Sequence, residues 1–407
     1  MKHGRVEALP DVQSAAAAAM EQFHREWPYL SQGRTPPAVL TDGGCEMRTL
    51  CNAFLTFKRN RVIAGELTER AFMDLRKVTD LLIAEFKADR RVDDLRPDDF
   101  EYLRKSLASR LGPVRLKNVI THDRGVFKFA FDHRLVSAPI NYGQAFNRPT
   151  ARTLRRSRNV AGPKLFERPD LTLILAALAG EKVTVDDKEL TFADTAMRAM
   201  VLLGLNCGFG NSDIASLPRS ALDLSHGWVT FPRPKTEIER RVPLWPETIA
   251  ALRDALPLRP DAEDAADAGL CFLTWAGRRW VRMQATKDVD DISRKCVALD
   301  PLGQRFRKLL KSLKLDRRPG LGFYTLRHVF QTIGGECRDQ VAVNSLMGHV
   351  DESMAAAYRE RISDERLRNV TETVRRWLFP EVLSGVPIAG GEPGAGTGRS
   401  SSGEGTP

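Results

Sequence analysis

The sequence lacks the features that mark the commonest metal, nucleotide and membrane proteins. Its six cysteines form no Cys-x-x-Cys pair, so it has neither the usual spacing of a zinc site nor a disulfide framework. No apolar run approaches the roughly 20 residues that a transmembrane helix needs. It also has no Gly-x-x-x-x-Gly-Lys element and no internal repeat. These absences predict a protein with no metal, no small-molecule cofactor and no membrane segment.

Two further absences concern location and nucleotide binding. Free thiols in a chain with no secretory signal predict a reducing, cytoplasmic environment. The Cys-Gly-Phe-Gly-Asn stretch at 207–211 lacks a third glycine and a preceding strand, so it is not a dinucleotide-binding loop.

Positive charge is abundant and unevenly distributed. The chain has 62 Lys and Arg against 52 Asp and Glu, a net charge of +10. Residues 101–160 hold 13 basic and 3 acidic side chains, and residues 301–320 hold 7 basic and 1 acidic. A scattered surplus would only indicate a solvated surface, whereas two concentrated runs favour a polyanion such as double-stranded DNA as the partner.

Helical periodicity dominates from residue 46 to residue 144. One row of apolar residues spaced three or four apart follows Thr68 and predicts the buried face of a helix: Phe72, Leu75, Val78, Leu82 and Phe86. A second row predicts another: Leu116, Ile120, Phe127 and Phe131. The second helix also carries basic residues, which we expect to meet phosphates on its other face: Arg115, Lys117, Arg124 and Lys128.

The rest of the chain alternates helical rows with one hairpin. Residues 226–245 read as two short strands around a polar turn. The row from Ala196 to Leu205 predicts a buried helix, and Ser363 or Asp364 is the expected N-cap of a helix that ends near Trp377. Residues 1–45 read as an extension. Residues 381–407 are rich in Gly, Ser and Pro and predict a disordered tail.

The last quarter of the chain contains the residues with the most specific chemistry. Arg327 lies three positions after Tyr324, His349 ends a Leu-Met-Gly-His element, and Tyr358 comes nine positions after that histidine. Attack on a phosphodiester gathers negative charge on the non-bridging oxygens, and an arginine fork matches two of them. A phenol with a free pKa of about 10 is a weak nucleophile that needs cationic neighbours or a proton acceptor.

Taken singly, these residues have ordinary explanations. A tyrosine after three alanines is usually a packing residue, and Gly348-His349 is a common way to end a helix. Their order and spacing together resemble the tyrosine recombinase, or phage integrase, family.

The resemblance implies a fold and a reaction. The fold is mainly α with a small β-hairpin (α+β), made of a helical core-binding domain at 46–144, a basic linker at 145–162 and a catalytic domain at 163–380. In this family a tyrosine attacks the DNA backbone to form a 3′-phosphotyrosine and release a 5′ hydroxyl, without metal or ATP. Tyr358 would be that nucleophile, Arg327 and His349 would stabilise the transition state, and Lys235 on the hairpin would be the general acid.

Two positions depart from the family pattern. The family has an arginine three residues before an acidic one at the start of a helix, and alignment on Asp213 places Gly210 there. The family commonly has a histidine three residues before the second arginine, where this chain has Tyr324, which can still donate a hydrogen bond. Loss of one preorganised donor typically costs about 10²- to 10³-fold in rate.

Two repairs of the missing arginine are open from the sequence. Asn211 and the backbone amides of the Gly210-Asn211 turn could bind a phosphate oxygen. Alternatively, Arg233, Arg240 or Arg241 on the hairpin could place a guanidinium in the gap.

The sequence therefore predicts a site-specific DNA recombinase that acts as a homotetramer on double-stranded DNA. The expected catalytic residues are Tyr358, Arg327, His349, Lys235 and Tyr324. The expected DNA-binding residues, besides the four on the second helix, are Arg152, Arg155, Arg156, Asn211 and Arg233. Two alternatives stay open: an integrase-like DNA-binding protein that has lost the reaction, favoured by Gly210, and a phosphotyrosine-forming topoisomerase of type IB.

Overall fold

The computed structural model describes residues 20, 23–24, 27–28, 30–31, 44–285, 296–316 and 318–380. The predicted disordered tail at 381–407 lies outside the described residues, as does nearly all of the predicted extension at 1–45.

Helices make up the greater part of the described chain. They are α1 Met47–Ile63, α2 Glu69–Phe86, α3 Pro97–Arg110, α4 Pro113–Asp132, α5 Ala151–Ala161, α6 Arg168–Ala179, α7 Thr195–Cys207, α8 Asn211–Ser216, α9 Pro246–Ala255, α10 Pro301–Ser312, α11 Thr325–Gly334, α12 Gln340–Met347, α13 Met354–Ala357 and α14 Asp364–Leu378. The strands are β1 Val183–Val185, β2 Lys188–Leu190, β3 Leu222–Asp223, β4 Trp228–Thr230, β5 Arg241–Pro243, β6 Arg282–Ala285 and β7 Cys296–Leu299. They form three small sheets, β1-β2, β3-β4-β5 and β6-β7. The predicted fold class, mainly α with small β-sheets, is confirmed.

The chain divides into two compact units. The first comprises residues up to 162 together with 283–297, and the second comprises 163–282 and the residues from 298 onward. Residues 283–297 thus lie within the segment that the sequence assigns to one catalytic domain, yet belong to the first unit. The reason is apolar packing, because Met283 on β6 and Cys296 on β7 contact the core of the first unit.

The first unit is built on α1 to α4, and its predicted helix faces largely match the structure. All five residues of the first predicted row lie on α2 and are buried. The helix begins where expected, because the Thr68 hydroxyl accepts a hydrogen bond from the Ala71 amide.

The second predicted row holds for three of its four residues. Leu116, Ile120 and Phe127 are buried on α4, as predicted. Phe131 is not part of that core, since it is 42% exposed. Phe129 and Ala130, just before it, are buried, so the buried face of α4 does not include position 131.

The second unit surrounds α7, whose residues from Ala199 to Cys207 are all buried. The predicted hairpin is present, because β4 and β5 pair antiparallel with Val229 opposite Val242. The last predicted helix is α14, with Ser363 at its N-cap. Its buried row, which includes Leu367 and Val374, packs into the core of the same unit.

Two plain findings complete the fold. All six cysteines are free thiols. None of the helices in the described ranges is long and apolar enough to cross a membrane.

One buried charge in the first unit is unusual. Asp123 on α4 is fully buried, and neither of its carboxylate oxygens has a hydrogen-bond partner. Burial raises the pKa of Asp123 to about 8. A buried, unpaired carboxyl group is far less costly when protonated, so Asp123 is neutral at pH 7.

This carboxyl group should make the stability of the first unit depend on pH. The folded state keeps a proton that the unfolded chain releases above about pH 4, so the free energy of unfolding falls as pH rises toward 8, by up to about 1.4 kcal/mol per pH unit. Asp123→Asn cannot ionise and should lose this dependence. Hydrogen exchange of peptides from 47–132 at pH 5 and pH 8, corrected for intrinsic rates, measures it. Equal pH slopes for both proteins would contradict the assignment.

Candidate active site

The site is organised around a buried arginine on α11. Arg327 is only 2% exposed. Its Nη1 donates to the Gly208 carbonyl at 2.6 Å, and its Nη2 donates to the Met347 carbonyl. Gly208 ends α7 and Met347 ends α12. One guanidinium therefore binds the exposed carbonyls at two helix C-termini, where the helix dipole favours a cation.

Both helix ends need glycine for this arrangement. Gly208 and Gly348 each have a positive φ, of +63° and +60°, which is the left-handed conformation that commonly ends a helix. A Cβ on Gly208 would also lie 2.9 Å from the ring of Phe330. A Cβ on Gly348 would lie 2.9 Å from the Cβ of Arg233 and 3.0 Å from the Cδ of Arg240. The close approach of these chains fixes the position of His349, the next residue.

The tip of the β4-β5 hairpin is bound to this same helix end. Arg233 Nη1 and Thr236 Oγ1 both donate to the Gly348 carbonyl, each at 3.1 Å. The Arg233 amide donates to the Ile238 carbonyl at 2.9 Å and closes the turn. Lys235, predicted to lie on the hairpin turn, does so and is exposed.

A second arginine is buried beneath the hairpin. Arg240 is 1% exposed, and its Nη2 donates to Asp213 Oδ1 at 3.0 Å. The other oxygen of Asp213 accepts from the Gly210 amide at 2.7 Å. Asp213 therefore links Arg240 to the position where the family pattern has its first arginine. The Nη1 of Arg240 is buried without a hydrogen-bond partner among the described residues.

The two departures from the family pattern contact each other. A Cβ added to Gly210 would lie 3.0 Å from Cε2 and 3.1 Å from Cδ2 of Tyr324. The Tyr324 ring, which also packs edge-on against His328 at 5.6 Å between centroids, thus occupies the space where a side chain at position 210 would begin. The small residue and the large ring are complementary.

Burial and the repulsion between positive charges lower the pKa values of Arg327, Arg240 and His349. Burial lowers the pKa of Arg327 to about 10, and the charge of Arg233 acts in the same direction. Burial lowers the pKa of Arg240, opposed by Asp213. Burial, followed by the charges of Arg327 and Arg233, lowers the pKa of His349 below its ordinary value. His349 is therefore neutral at pH 7 and has one N–H donor and one acceptor nitrogen.

The predicted nucleophile stands apart from this cluster. Tyr358 follows the short helix α13 and is 78% exposed. Its hydroxyl has no hydrogen-bond partner within the described ranges. The structure therefore brings together Arg327, Tyr324, His349 and Arg233, and leaves Tyr358 and Lys235 in solvent.

The predicted DNA-binding residues of the first unit differ in their exposure and in their contacts within the protein. Arg115 and Lys117 are exposed on α4. Lys128 is paired with Asp132 at 2.7 Å. Arg124 donates to the Phe146 carbonyl at 2.8 Å, so it stabilises the chain after α4 and is less free than expected.

The predicted basic linker contains a helix. Residues 151–161 form α5, which has no buried residue, and Arg152, Arg155 and Arg156 are exposed on it. The Thr150 hydroxyl accepts from the Thr153 amide and begins the helix.

The sequence did not indicate three residues that lie beside the site. Thr236 shares the Gly348 carbonyl with Arg233. His328 and Lys164 lie close enough that the lysine charge, after burial, lowers the pKa of His328. Lys164 lies far from the motifs in sequence, so no spacing indicated it, whereas His328 directly follows Arg327 and its position alone was a signal.

The pKa of His349 is a direct test of the arginine cluster. In the wild-type protein it should lie below 6.5, and Arg233→Gln should raise it because one positive charge is removed, without restoring it fully because burial remains. Titration of labelled histidine rings by NMR, with His349→Gln to assign the signal, measures both values. Arg253→Gln, which removes a charge on α9, should leave the value unchanged. A His349 pKa that does not respond to Arg233→Gln would contradict the cluster.

The contact between Gly210 and Tyr324 predicts energetic coupling. Gly210→Ala should destabilise the protein by about 1 kcal/mol, because the ring must move to admit the methyl group. The same change should cost little in a Tyr324→Ala background, a coupling of about 1 kcal/mol in thermal or urea unfolding. Gly335→Ala, a glycine with open space around its Cβ position, is the matched control. Additive effects would show that the ring does not restrict position 210.

Sequence comparison identifies the segment that contains this site. Residues 184–364 match the phage integrase family. The match includes Gly210, Lys235, Arg327, His349 and Tyr358. A search among curated proteins finds no match.

Solved structures share the fold. An integrase of the Tn1549 transposon (residues 82–397), in complex with a circular intermediate DNA, is 14% identical, with a TM-score of 0.56 over 81% of this chain and 99% of that one. A lambda integrase dimer bound to a COC′ core site is 11% identical, with a TM-score of 0.52 over 86% of this chain and 87% of that one. A lambda integrase tetramer bound to a Holliday junction is 10% identical, with a TM-score of 0.51 over 86% and 89%.

The family match over 184–364, the shared fold and the arginine and histidine assembled at the ends of α7 and α12 agree with one another. Residues 184–364 of this chain match the phage integrase, or tyrosine recombinase, family, and the fold shared with solved integrases agrees with that match.

Proposed function

We propose that this protein is a site-specific DNA recombinase that cleaves and rejoins DNA through a 3′-phosphotyrosine intermediate. One observation carries the proposal. Within the segment that matches the family, Arg327, His349 and Arg233 are held together around the Met347-Gly348 carbonyls, and the two arginine charges act on each other and on the histidine. Such a concentration of positive charge is stabilised by an anion.

The anion of this proposal is the scissile phosphate. Negative charge grows on its non-bridging oxygens as an oxygen nucleophile attacks, and fixed donors bind that charge most tightly in the transition state. Neutral His349 donates one N–H to a phosphate oxygen, and its other nitrogen can accept a proton. Cationic neighbours also favour an anionic phenolate, which assists a tyrosine nucleophile.

Tyr358 and Lys235 would complete the reaction from the two sides of the phosphate. The phenol oxygen of Tyr358 forms a bond to phosphorus while the bond to the 5′ oxygen breaks, and Lys235 protonates that leaving oxygen. Both side chains are exposed in the free protein, so DNA binding must bring Tyr358 to the phosphate. The segment 350–363, which contains only the four residues of α13 as regular structure, is the part of the chain that would move.

The exposed basic residues of the first unit would bind the DNA backbone. Five of the predicted residues are exposed: Arg115, Lys117, Arg152, Arg155 and Arg156. Contacts between such side chains and phosphates make binding strongly salt-dependent. A homotetramer on two duplexes is part of the proposal and is supported by the lambda integrase tetramer on a Holliday junction. A cytoplasmic location stays a prediction.

Gly210 favours a second candidate function, a DNA-binding protein that no longer cleaves. The Tyr324 ring fills the space at position 210, and Arg327 already uses two nitrogens on backbone carbonyls. A topoisomerase of type IB is a weaker alternative, distinguished by relaxation of plasmids without preference for a site.

Covalent capture of DNA tests the proposal without knowledge of the target. The protein is incubated with supercoiled plasmid and with sheared DNA from its source in EDTA, the reaction is stopped with SDS, and DNA attached to protein is recovered and sequenced. We expect adducts at a preferred sequence, abolished by Tyr358→Phe.

The control variant also separates the alternatives. Adducts that survive Tyr358→Phe would assign the nucleophile to another residue. Retarded but never covalent DNA would establish the binding protein instead.

A further inference from the structure

We propose that Arg233, at the tip of the β4-β5 hairpin, replaces the missing first arginine of the family and binds the scissile phosphate together with Arg327. This inference rests on the proposed function, since it assigns a residue to the same phosphate. Three facts about the described residues support it: the other replacements are engaged elsewhere, Arg233 has donors to spare, and its position is fixed.

The helix-start replacement is already used within the protein. The Asn211 amide nitrogen donates to Asp300 Oδ2 at 2.9 Å, and the Gly210 amide donates to Asp213 Oδ2 at 2.7 Å. The helix that follows, α8, has only six residues. Neither donor is directed at an incoming phosphate.

Arg241 is also engaged. It pairs with Asp364, the first residue of α14, and its guanidinium stacks on the Trp228 ring at 3.6 Å from the centroid. A cation held by a carboxylate and an aromatic face has little reason to leave them. Arg241 therefore connects the hairpin to α14.

Arg240 lies close to position 210 but is not accessible to DNA. Its side chain lies beneath the hairpin, with its guanidinium over the Phe209 ring at 4.4 Å and bound to the Phe231 carbonyl and to Asp213. At 1% exposure it cannot meet DNA without unfolding of the tip. We assign it a positioning role: it supports the strands from below and leaves Arg233 as the accessible cation.

Arg233 is accessible to DNA, unlike Arg240, and is not paired with a carboxylate among the described residues, unlike Arg241. It is half-buried, and only its Nη1 is used, on the Gly348 carbonyl. Its Nε and Nη2 make no hydrogen bond within the described ranges, so the fork that recognises two phosphate oxygens is available.

The position of Arg233 is set by close packing. Its Cβ and Cδ lie against Gly348, where even a methyl group would not fit. Its charge lowers the pKa of both Arg327 and His349, so all three groups face one region. A preorganised donor of this kind loses little entropy when the charge develops.

The family arginine precedes a helix, whereas Arg233 lies two residues before Lys235 on a hairpin. The phosphate clamp and the proposed acid would then enter the site on one element.

Single-turnover cleavage of the captured DNA sequence tests the role of Arg233. The substrate is a duplex with either a normal phosphate or a neutral methylphosphonate at the scissile position. On the normal duplex, Arg233→Ala and Arg233→Gln should slow adduct formation by about 10²- to 10³-fold, and Arg233→Lys by less. On the methylphosphonate duplex, which has no negative charge to neutralise, the deficit should shrink to within roughly tenfold.

A matched variant separates phosphate binding from a structural role. Thr236→Val removes the other hydrogen bond to the same Gly348 carbonyl without a change in charge. It should stay within about threefold of wild type, well below the loss of a charged donor. If Thr236→Val is as slow as Arg233→Ala, or if methylphosphonate rescues neither Arg233 variant, the arginine only holds the Gly348 carbonyl. Arg233 variants that cleave at the wild-type rate also overturn the inference.

A readout without cleavage keeps the two proposals distinct. Inorganic phosphate added to the free protein should shift the ring signals of His349, and Arg233→Gln should abolish this while Thr236→Val preserves it. Arg233-dependent binding with no adduct in the capture experiment would retain this inference and reject the recombinase. Adducts in the capture experiment, together with phosphate binding that does not depend on Arg233, would support the recombinase and reject the role of Arg233.

Discussion

The guanidinium of Arg327 is the interaction on which the site depends. Its hydrogen bonds to Gly208 and Met347 join the ends of α7 and α12, and every other group of the site is placed relative to those ends. Gly210 and Asp213 follow the first, and Gly348 and His349 follow the second. Because the arginine is buried, loss of its side chain would leave carbonyls unsatisfied as well as remove a charge. Arg327 therefore holds the two helix ends together and supplies positive charge to the site, and no substitution removes only one of these roles.

Repulsion among the arginines of the cluster destabilises the fold, and nearby carbonyl and carboxylate groups reduce that repulsion. Arg233, Arg240 and Arg327 carry like charges at close range, and the carboxylate of Asp213 offsets the charges of Arg240 and Arg327. Backbone carbonyls offset part of the repulsion without neutralising it. A surplus of positive charge lowers the stability of the free protein. Binding of an anion restores that stability. The surplus also keeps His349 uncharged, so the same charges that attract a phosphate prepare the imidazole.

The sequence predicted the elements of the fold better than the details of the site. Periodicity placed α2 and most of the α4 core correctly because burial dominates those helices. It failed at Phe131, where Phe129 and Ala130 form the buried face of the helix end instead. Motif spacing predicted Arg327 and His349 as site residues, and both lie next to the ends of α7 and α12. It could not predict that Gly210 and Tyr324 touch, that Arg240 is buried while Arg233 is accessible, or that Met283 and Cys296 pack against the core of the first unit. Those are long-range contacts, and no local pattern encodes them.

The fit of the Tyr324 ring over Gly210 bears on how this site could be redesigned. A Cβ at position 210 would lie 3.0 Å from the ring, so the ring must shift by a few tenths of an ångström to admit any larger residue. An arginine introduced at position 210 alone would therefore begin in tight contact with Tyr324, and a smaller residue at position 324 would remove that contact. Restoring the arginine of the family pattern is thus a matter of two positions in a redesigned protein.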